Sequence, residues 1–299
     1  MQGAFRRSLY FPLVFVVALL ALSGGCRSDH GRAVVVASKN FTEQAVLGEL
    51  LAQRIEEANL RVERRFYMAG TFICHQALLN GRADVYVEYT GTALTAVLKD
   101  PPISGAAQAF ERVRSEYGRR WQLAVLPSLG FDNTFAVVAR GADARRLNIS
   151  TLSQVVSHAP QWRMGVGYEF LERPDGYAGL VKTYGLSFRE PPRVMDLGLL
   201  YRALQENQVD LAVGNSTDGL ISALDFVALA DDKHYFPPYD AVPIVRETSL
   251  QEFPGLREAL AGMAGRISEE DMRRMNYAVD GEHRDAAAVV REFLRGKGL

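Results

Sequence analysis

Short, wholly apolar runs alternate along this chain with stretches of helical apolar spacing, and the alternation starts afresh once. Residues 33–37 are apolar throughout and bounded by Arg32 and Ser38, the pattern of a strand buried on both faces of a parallel sheet. Over 42–58, Val46, Leu47, Leu50, Leu51 and Ile55 fall on one side of a helix, and Asn40 and Glu43 have the spacing of an N-cap pair. Residues 61–67 alternate like a strand, Gly70-Thr71 opens a helix that runs to Leu79, 84–87 reads as the next strand, and Thr90 starts another helix. Such a β-α-β-α-β-α order favours right-handed crossovers and a parallel sheet.

The rhythm restarts after Pro127. Strands are expected at 134–139, 162–166, 193–195, 209–213 and 226–229, with helices at 151–157, 170–184, 199–206 and 220–224. Pro237-Pro238 breaks the pattern, 241–245 is a further strand, and the last fifty or so residues read as helices, one of them capped by Ser268 with Asp271 at its third position. A second α/β unit enclosed between a first unit and a helical tail predicts two lobes joined by two crossovers.

The first thirty residues differ from the rest. Arg6 and Arg7 precede an apolar run from Leu9 to Leu22, broken only by Pro12 and followed by Ser23-Gly24-Gly25-Cys26. The run is shorter than the ~20 residues a spanning helix needs, so residues 1–25 read as a signal peptide. Cys26 stands where a lipobox places its lipidated cysteine, although Ser23 replaces the usual branched apolar residue. The expected location is the periplasm or cell envelope, with a lipid anchor on Cys26. The other cysteine, Cys74, then has no partner, so the fold must hold without a disulfide.

Charge is balanced, 34 basic residues against 35 acidic, and no basic stripe points to nucleic acid. Cys74 and His75 are adjacent on a helix, hence about 100° apart, and no second cluster accompanies them. They read as core residues, and no metal is expected. No Gly-x-Ser-x-Gly elbow, phosphate-binding loop or dinucleotide fingerprint occurs, so neither a cofactor nor a catalytic residue is assigned.

Two runs stand where a strand gives way to a helix: Ser38-Lys39-Asn40-Phe41-Thr42-Glu43-Gln44 and Glu88-Tyr89-Thr90-Gly91-Thr92. Strand ends of this kind are where α/β domains bind small ligands. With them occur, in order, Gly130-Phe131-Asp132-Asn133-Thr134-Phe135, Arg173-Pro174-Asp175-Gly176, Met195-Asp196, Ser216-Thr217-Asp218-Gly219 and Phe236-Pro237-Pro238-Tyr239. Over nearly the whole chain beyond the signal peptide this series resembles the periplasmic glycine betaine/choline-type solute-binding proteins of ABC importers. The resemblance implies an α/β, two-lobed periplasmic binding protein fold of type II. Each lobe would be a mixed, mostly parallel sheet flanked by helices, lobe 1 from 33–133 plus 237–299 and lobe 2 from 134–236, with two hinge crossovers.

It also implies a site. A quaternary ammonium has no N–H donor, and aromatic faces hold it by about 0.5–2 kcal/mol per ring. Tyr89 and Tyr239 match cage positions of the family, Phe135 matches a third where tyrosine is common, and Asn215 replaces the fourth tyrosine. Arg173 matches a carboxylate-binding arginine, Lys39 and Thr92 match further carboxylate contacts, and Asn133 and Glu169 fall at the site. Spacing alone also allows Glu169 and Arg173 to be an exposed i,i+4 helix pair. The implied partners are a small zwitterionic or quaternary-ammonium solute, a permease and its ATPase, the protein itself being a monomer and not an enzyme. Asn215 keeps open another ligand, such as ergothioneine or an amino acid. An enzyme on the same fold, with Glu169 as its acid/base, and a sensor ectodomain are the rival classes.

Overall fold

The computed structural model describes residues 31–299, so the expectations for residues 1–25 and Cys26 lie outside the described residues. Two five-stranded sheets organise the rest. The first has the order β2-β1-β3-β10-β4 and the second β7-β6-β8-β5-β9. In chain order the strands are β1 (Val34–Ala37), β2 (Val62–Arg65), β3 (Val85–Tyr89), β4 (Leu123–Val125), β5 (Phe135–Arg140), β6 (Met164–Val166), β7 (Arg193–Val194), β8 (Leu211–Asn215), β9 (Phe226–Leu229) and β10 (Ala241–Arg246).

β1 is apolar at every position because both of its faces are covered. Val34 and Val36 join one core cluster with Leu47, Leu50 and Leu51 of helix α1 (Thr42–Glu57). Val35 and Ala37 join another with Leu78 of α2 (Thr71–Leu79) and Val113 and Tyr117 of α3 (Ala106–Trp121). β5 repeats the device in the second sheet, with Val137 and Ala139 on one face and Ala136 and Val138 on the other. The alternation of Cβ direction along a strand accounts for both.

Each sheet is mixed. β1 runs parallel to β2 and β3, and β6 parallel to β7 and β8. The antiparallel strands are the two that follow a passage between sheets: β10 between β3 and β4, and β5 between β8 and β9. The two connecting segments touch each other. Asp132 and Asp240 form an isolated antiparallel bridge, Asn133 N donates to Tyr239 O at 3.2 Å, and Tyr239 N donates to Asp132 Oδ2 at 2.8 Å.

Two local expectations need correction. α1 begins without a side-chain cap: Phe41 is the N-cap residue in an extended conformation, and Glu43 turns inward. The single helix expected over 170–184 is two helices, α4 (Tyr168–Glu172) and another over Tyr177–Tyr184. Pro174 disfavours helical geometry at the residue before it, and Arg173 is extended at φ −81°, ψ 145°. The tight return needs Gly176, where a Cβ would come within 1.9 Å of Phe170 O. Glu169 and Arg173 therefore do not form a pair on a helix surface. The remaining helices used below are α5 (Leu197–Gln205), α6 (Glu269–Asp280), which carries the expected Ser268–Asp271 capping box, and α7 (Ala286–Lys297). α6 and α7 pack on α1.

Candidate ligand-binding site

A cavity of about 560 Å³ lies between the two sheets, and all nine binding residues proposed from sequence are on its wall. From the side of the first sheet come Lys39 after β1, Tyr89 at the end of β3, Thr92 just beyond it, and Tyr239 before β10. From the other come Phe135 at the start of β5, Glu169 on α4, Arg173 after it, and Asn215 at the end of β8, with Asn133 on the first connecting segment. The β5–β8 register sets Phe135 directly opposite Asn215, so these two form one stretch of wall.

Arg173 is the most constrained charge in the site. Its Nε and Nη2 donate to Asp175 Oδ1 and Oδ2 at 2.9 and 2.6 Å, and Nη1 donates to Thr92 Oγ1 at 2.9 Å. The guanidinium carbon lies 4.9 Å from the Phe135 ring centroid and 5.7 Å from that of Tyr239. Tyr239 Oη donates to Asp175 Oδ2 at 2.6 Å. Burial works against the charge on Arg173, but the Asp175 carboxylate outweighs it and holds the guanidinium above its ordinary value. Asp175 shows the reciprocal balance and lies below the usual carboxylate range.

Lys39 is placed differently from its expected role. Its ammonium pairs with Glu88, both side chains being buried, and lies 5.0 Å from the Tyr89 ring centroid. The charge meant for a ligand carboxylate is thus already balanced by a protein carboxylate. Of the rings expected to form a cage, Phe135 and Tyr239 face Arg173, and Tyr89 faces Lys39. Glu169 reaches across the cavity to the start of α2, where Thr71 N donates to its Oε1 at 2.7 Å. This satisfies a free N–H of the first helical turn with a negative charge. Gly70 is what lets the carboxylate in, because a Cβ there would sit 1.8 Å from Glu169 Oε1.

Sequence reading missed the group at the back of the site. Glu43 is buried and accepts four hydrogen bonds. Tyr89 Oη and Asn133 Nδ2 donate to Oε1, each at 2.6 Å, while Thr217 Oγ1 and Asn276 Nδ2 donate to Oε2, the latter at 2.9 Å. Desolvation pushes the Glu43 carboxyl up, against the pull of these bonds. Its donors come from β3, the first connecting segment, the loop after β8, and α6. Asn276 also donates to Thr217 O at 3.0 Å, so that loop is tied twice.

Asp218, in the same loop, accepts from Asn215 N at 2.9 Å and Tyr201 Oη at 2.6 Å, and burial raises its carboxyl to about 6. A carboxyl raised on folding stabilises most below its unfolded value and loses that contribution as pH rises through its folded value. The stability advantage of wild type over Asp218→Asn is therefore expected to be about 1 kcal/mol larger at pH 5 than at pH 7.5. Denaturant titrations of both proteins at the two pH values measure it, and a constant difference would count against the assignment. The comparison is between variants because His75, lowered by burial to about 4, acts in the opposite sense in both.

Cys74 is buried, its thiol 3.5 Å from Met68 O and pushed up to about 12 by desolvation. Among the described residues no group of three or more His, Cys, Asp or Glu side chains could hold a metal ion. Nor is any helix among them long and apolar enough to cross a membrane.

Comparison with known proteins agrees with this architecture. Residues 32–296 match the model of the substrate-binding domain of ABC-type glycine betaine transport systems. The chain is 34% identical over 277 residues to the carnitine transport binding protein OpuCC of Listeria monocytogenes, covering 91% of this chain and 88% of that one. It is 32% identical over 269 residues to the ergothioneine transport permease/ergothioneine binding protein EgtU of Helicobacter pylori, covering 90% of this chain but 48% of that longer protein. A crystal structure of a glycine betaine/carnitine/choline ABC transporter protein superposes with a TM-score of 0.74 at 32% identity, covering 88% of this chain and 98% of that one. The fold is that of the type II periplasmic binding proteins, and the chain belongs to the substrate-binding domain family of ABC-type glycine betaine transport systems.

Proposed function

We propose that this protein captures a small zwitterion bearing a methylated ammonium and a carboxylate, of the glycine betaine or carnitine kind, and hands it to a membrane permease driven by a separate ATPase. The observation that carries this reading is Arg173. Its side chain is buried, held from one side by Asp175, and still part of the wall of an aromatic cavity. A ligand carboxylate docks on the guanidinium beside Thr92, and the ammonium packs against the aromatic wall made by Phe135 and Tyr239, which flank Arg173, and by Tyr89, which faces Lys39. Glu169 and Asp196, also on the wall, add negative charge for the cation.

Residues 33–133 with 237–299 act as one lobe and 134–236 as the other, closing about the paired connecting segments. The protein works as a monomer outside the cytoplasm, tethered through lipid on Cys26. No turnover is expected, and Glu169, the acid/base candidate of the rival enzyme reading, is engaged with the start of α2.

Calorimetric titration of the purified protein with glycine betaine, carnitine and choline tests the reading. Binding of at least one carboxylate-bearing ligand is expected, with a gain of about 2.7 kcal/mol in stability at a hundredfold excess over Kd. No heat from either zwitterion would overturn it. Asn215→Tyr adds an aromatic wall opposite Phe135 and is expected to tighten glycine betaine binding by about three- to tenfold, the value of one cation–π contact; unchanged or weaker affinity argues against a missing wall.

The size of the cavity favours a second reading. At roughly 30 Å³ per water, 560 Å³ corresponds to about nineteen waters, which is more than a molecule as small as glycine betaine displaces. Exposed Phe72, Ile73 and Tyr168 on the wall suit a bulkier arm. A betaine carrying a ring, such as ergothioneine, therefore belongs in the same titration.

A further inference from the structure

We infer that Asp175 is a positioning residue: it fixes which edge of Arg173 faces the cavity and thereby sets a preference for cations that carry a carboxylate. This rests on the zwitterion reading above and extends it to a residue that does not line the cavity.

A guanidinium has five N–H donors in a rigid plane. Asp175 takes one on Nε and one on Nη2, and Thr92 takes one on Nη1. One N–H on Nη1 and one on Nη2 remain, on neighbouring terminal nitrogens, as donors for a ligand carboxylate. Asp175 can hold this geometry because it is itself immobile. It is 1% exposed, it accepts from Tyr239 Oη at 2.6 Å, and it sits in the turn imposed by Pro174 and Gly176. The rings of Phe135 and Tyr239 attract the cation but do not choose its rotation within its own plane. The paired oxygens of Asp175, taking two of its donors against the one that Thr92 takes, do most to fix it.

An uncharged amide at 175 offers one oxygen and places an N–H₂ against the donors it should accept. The remaining donors then lose their fixed direction while the aromatic wall stays. Dissociation constants for glycine betaine and its carboxylate-free analogue choline are measured on wild type, Asp175→Asn and Asp175→Glu. Asp175→Asn is expected to weaken glycine betaine at least tenfold and choline less than threefold, with Asp175→Glu recovering part of the loss. An equal loss for both ligands would show that Asp175 merely holds the cleft together, and no loss for glycine betaine would show that it does not orient Arg173; either overturns the inference.

Should Asp175→Asn fail to fold, Tyr239→Phe removes one bond to Asp175 and keeps the ring. It is expected to lower the glycine betaine to choline preference severalfold, and an unchanged preference is equally decisive against the inference. If wild type binds neither ligand nor carnitine, the zwitterion reading itself falls and this one with it. If wild type binds glycine betaine and Asp175→Asn binds it as well, only the positioning role falls.

Discussion

Replacing Glu43 by alanine is expected to lower the unfolding free energy by about 3 kcal/mol, because hydrogen bonds to a charged group contribute about 1.5–3 kcal/mol and buried donors left unpaired cost about 1–3 kcal/mol each. Four donors lose their acceptor at once. The costs do not add fully: water enters part of the space, and the desolvation of Glu43 that pushes its carboxyl up is relieved. Glu43→Gln keeps the volume but turns an N–H₂ toward two donors, and a loss of about 1–2 kcal/mol is expected on the same grounds. Urea titrations of the two variants and wild type measure both values. A loss below 1 kcal/mol for alanine would mean that water replaces the carboxylate without penalty. The effect should also loosen the loop after β8, where Gly219 lies so close to α6 that a Cβ would come within 2.7 Å of Tyr277 N.

Why Glu43 escaped notice in the sequence is instructive. It stands in the first turn of α1, where a carboxylate is ordinary, and its spacing from Asn40 matches a capping pair. Both readings are local, whereas its donors lie 46 to 233 positions away in the chain. Glu88 was more legible. It interrupts a strand that is buried on both faces, and a charge in such a place requires a buried partner. The partner, Lys39, lay at the end of the neighbouring parallel strand, in the run already singled out. Asp175 also fell inside a recognised run, but nothing local says that it faces Arg173 rather than solvent. That contact depends on the turn at Pro174 and Gly176.

The strand and helix rhythm was readable because it is written in apolar periodicity, residue by residue. The antiparallel entry of β5 and β10 was not, since direction within a sheet depends on connections rather than composition. The site shows the same division. The nine residues proposed for it share one cavity wall, but which of them face a ligand and which face one another is set by side chains from distant segments.

Arg173→Ala separates these two kinds of contact. Removing the guanidinium leaves Asp175, at 1% exposure, as a buried carboxylate without its ion partner, and about 3–5 kcal/mol of stability is expected to be lost at pH 7. The loss has a definite pH dependence. In wild type Asp175 is held below its ordinary value, so its contribution is present above the unfolded carboxylate range and fades as pH falls through the folded value. In the variant the same carboxyl is raised by burial, so its penalty is full at neutral pH and vanishes as it takes up a proton. The gap between the two proteins should therefore be widest near pH 7 and narrow steadily toward pH 4. Arg173→Met combined with Asp175→Asn removes both charges and is expected to recover most of the stability, since buried pairs can often be replaced by neutral groups at little cost. Glycine betaine binding should stay at least a hundredfold weaker in both, because no cation is left to receive the carboxylate. Chemical denaturation across pH, together with ligand titration of the same three proteins, distinguishes the outcomes. If the double variant binds glycine betaine as wild type does, Arg173 is only a structural cation filling the space between Phe135 and Tyr239; if stability and affinity fall and recover together, the two effects share one cause.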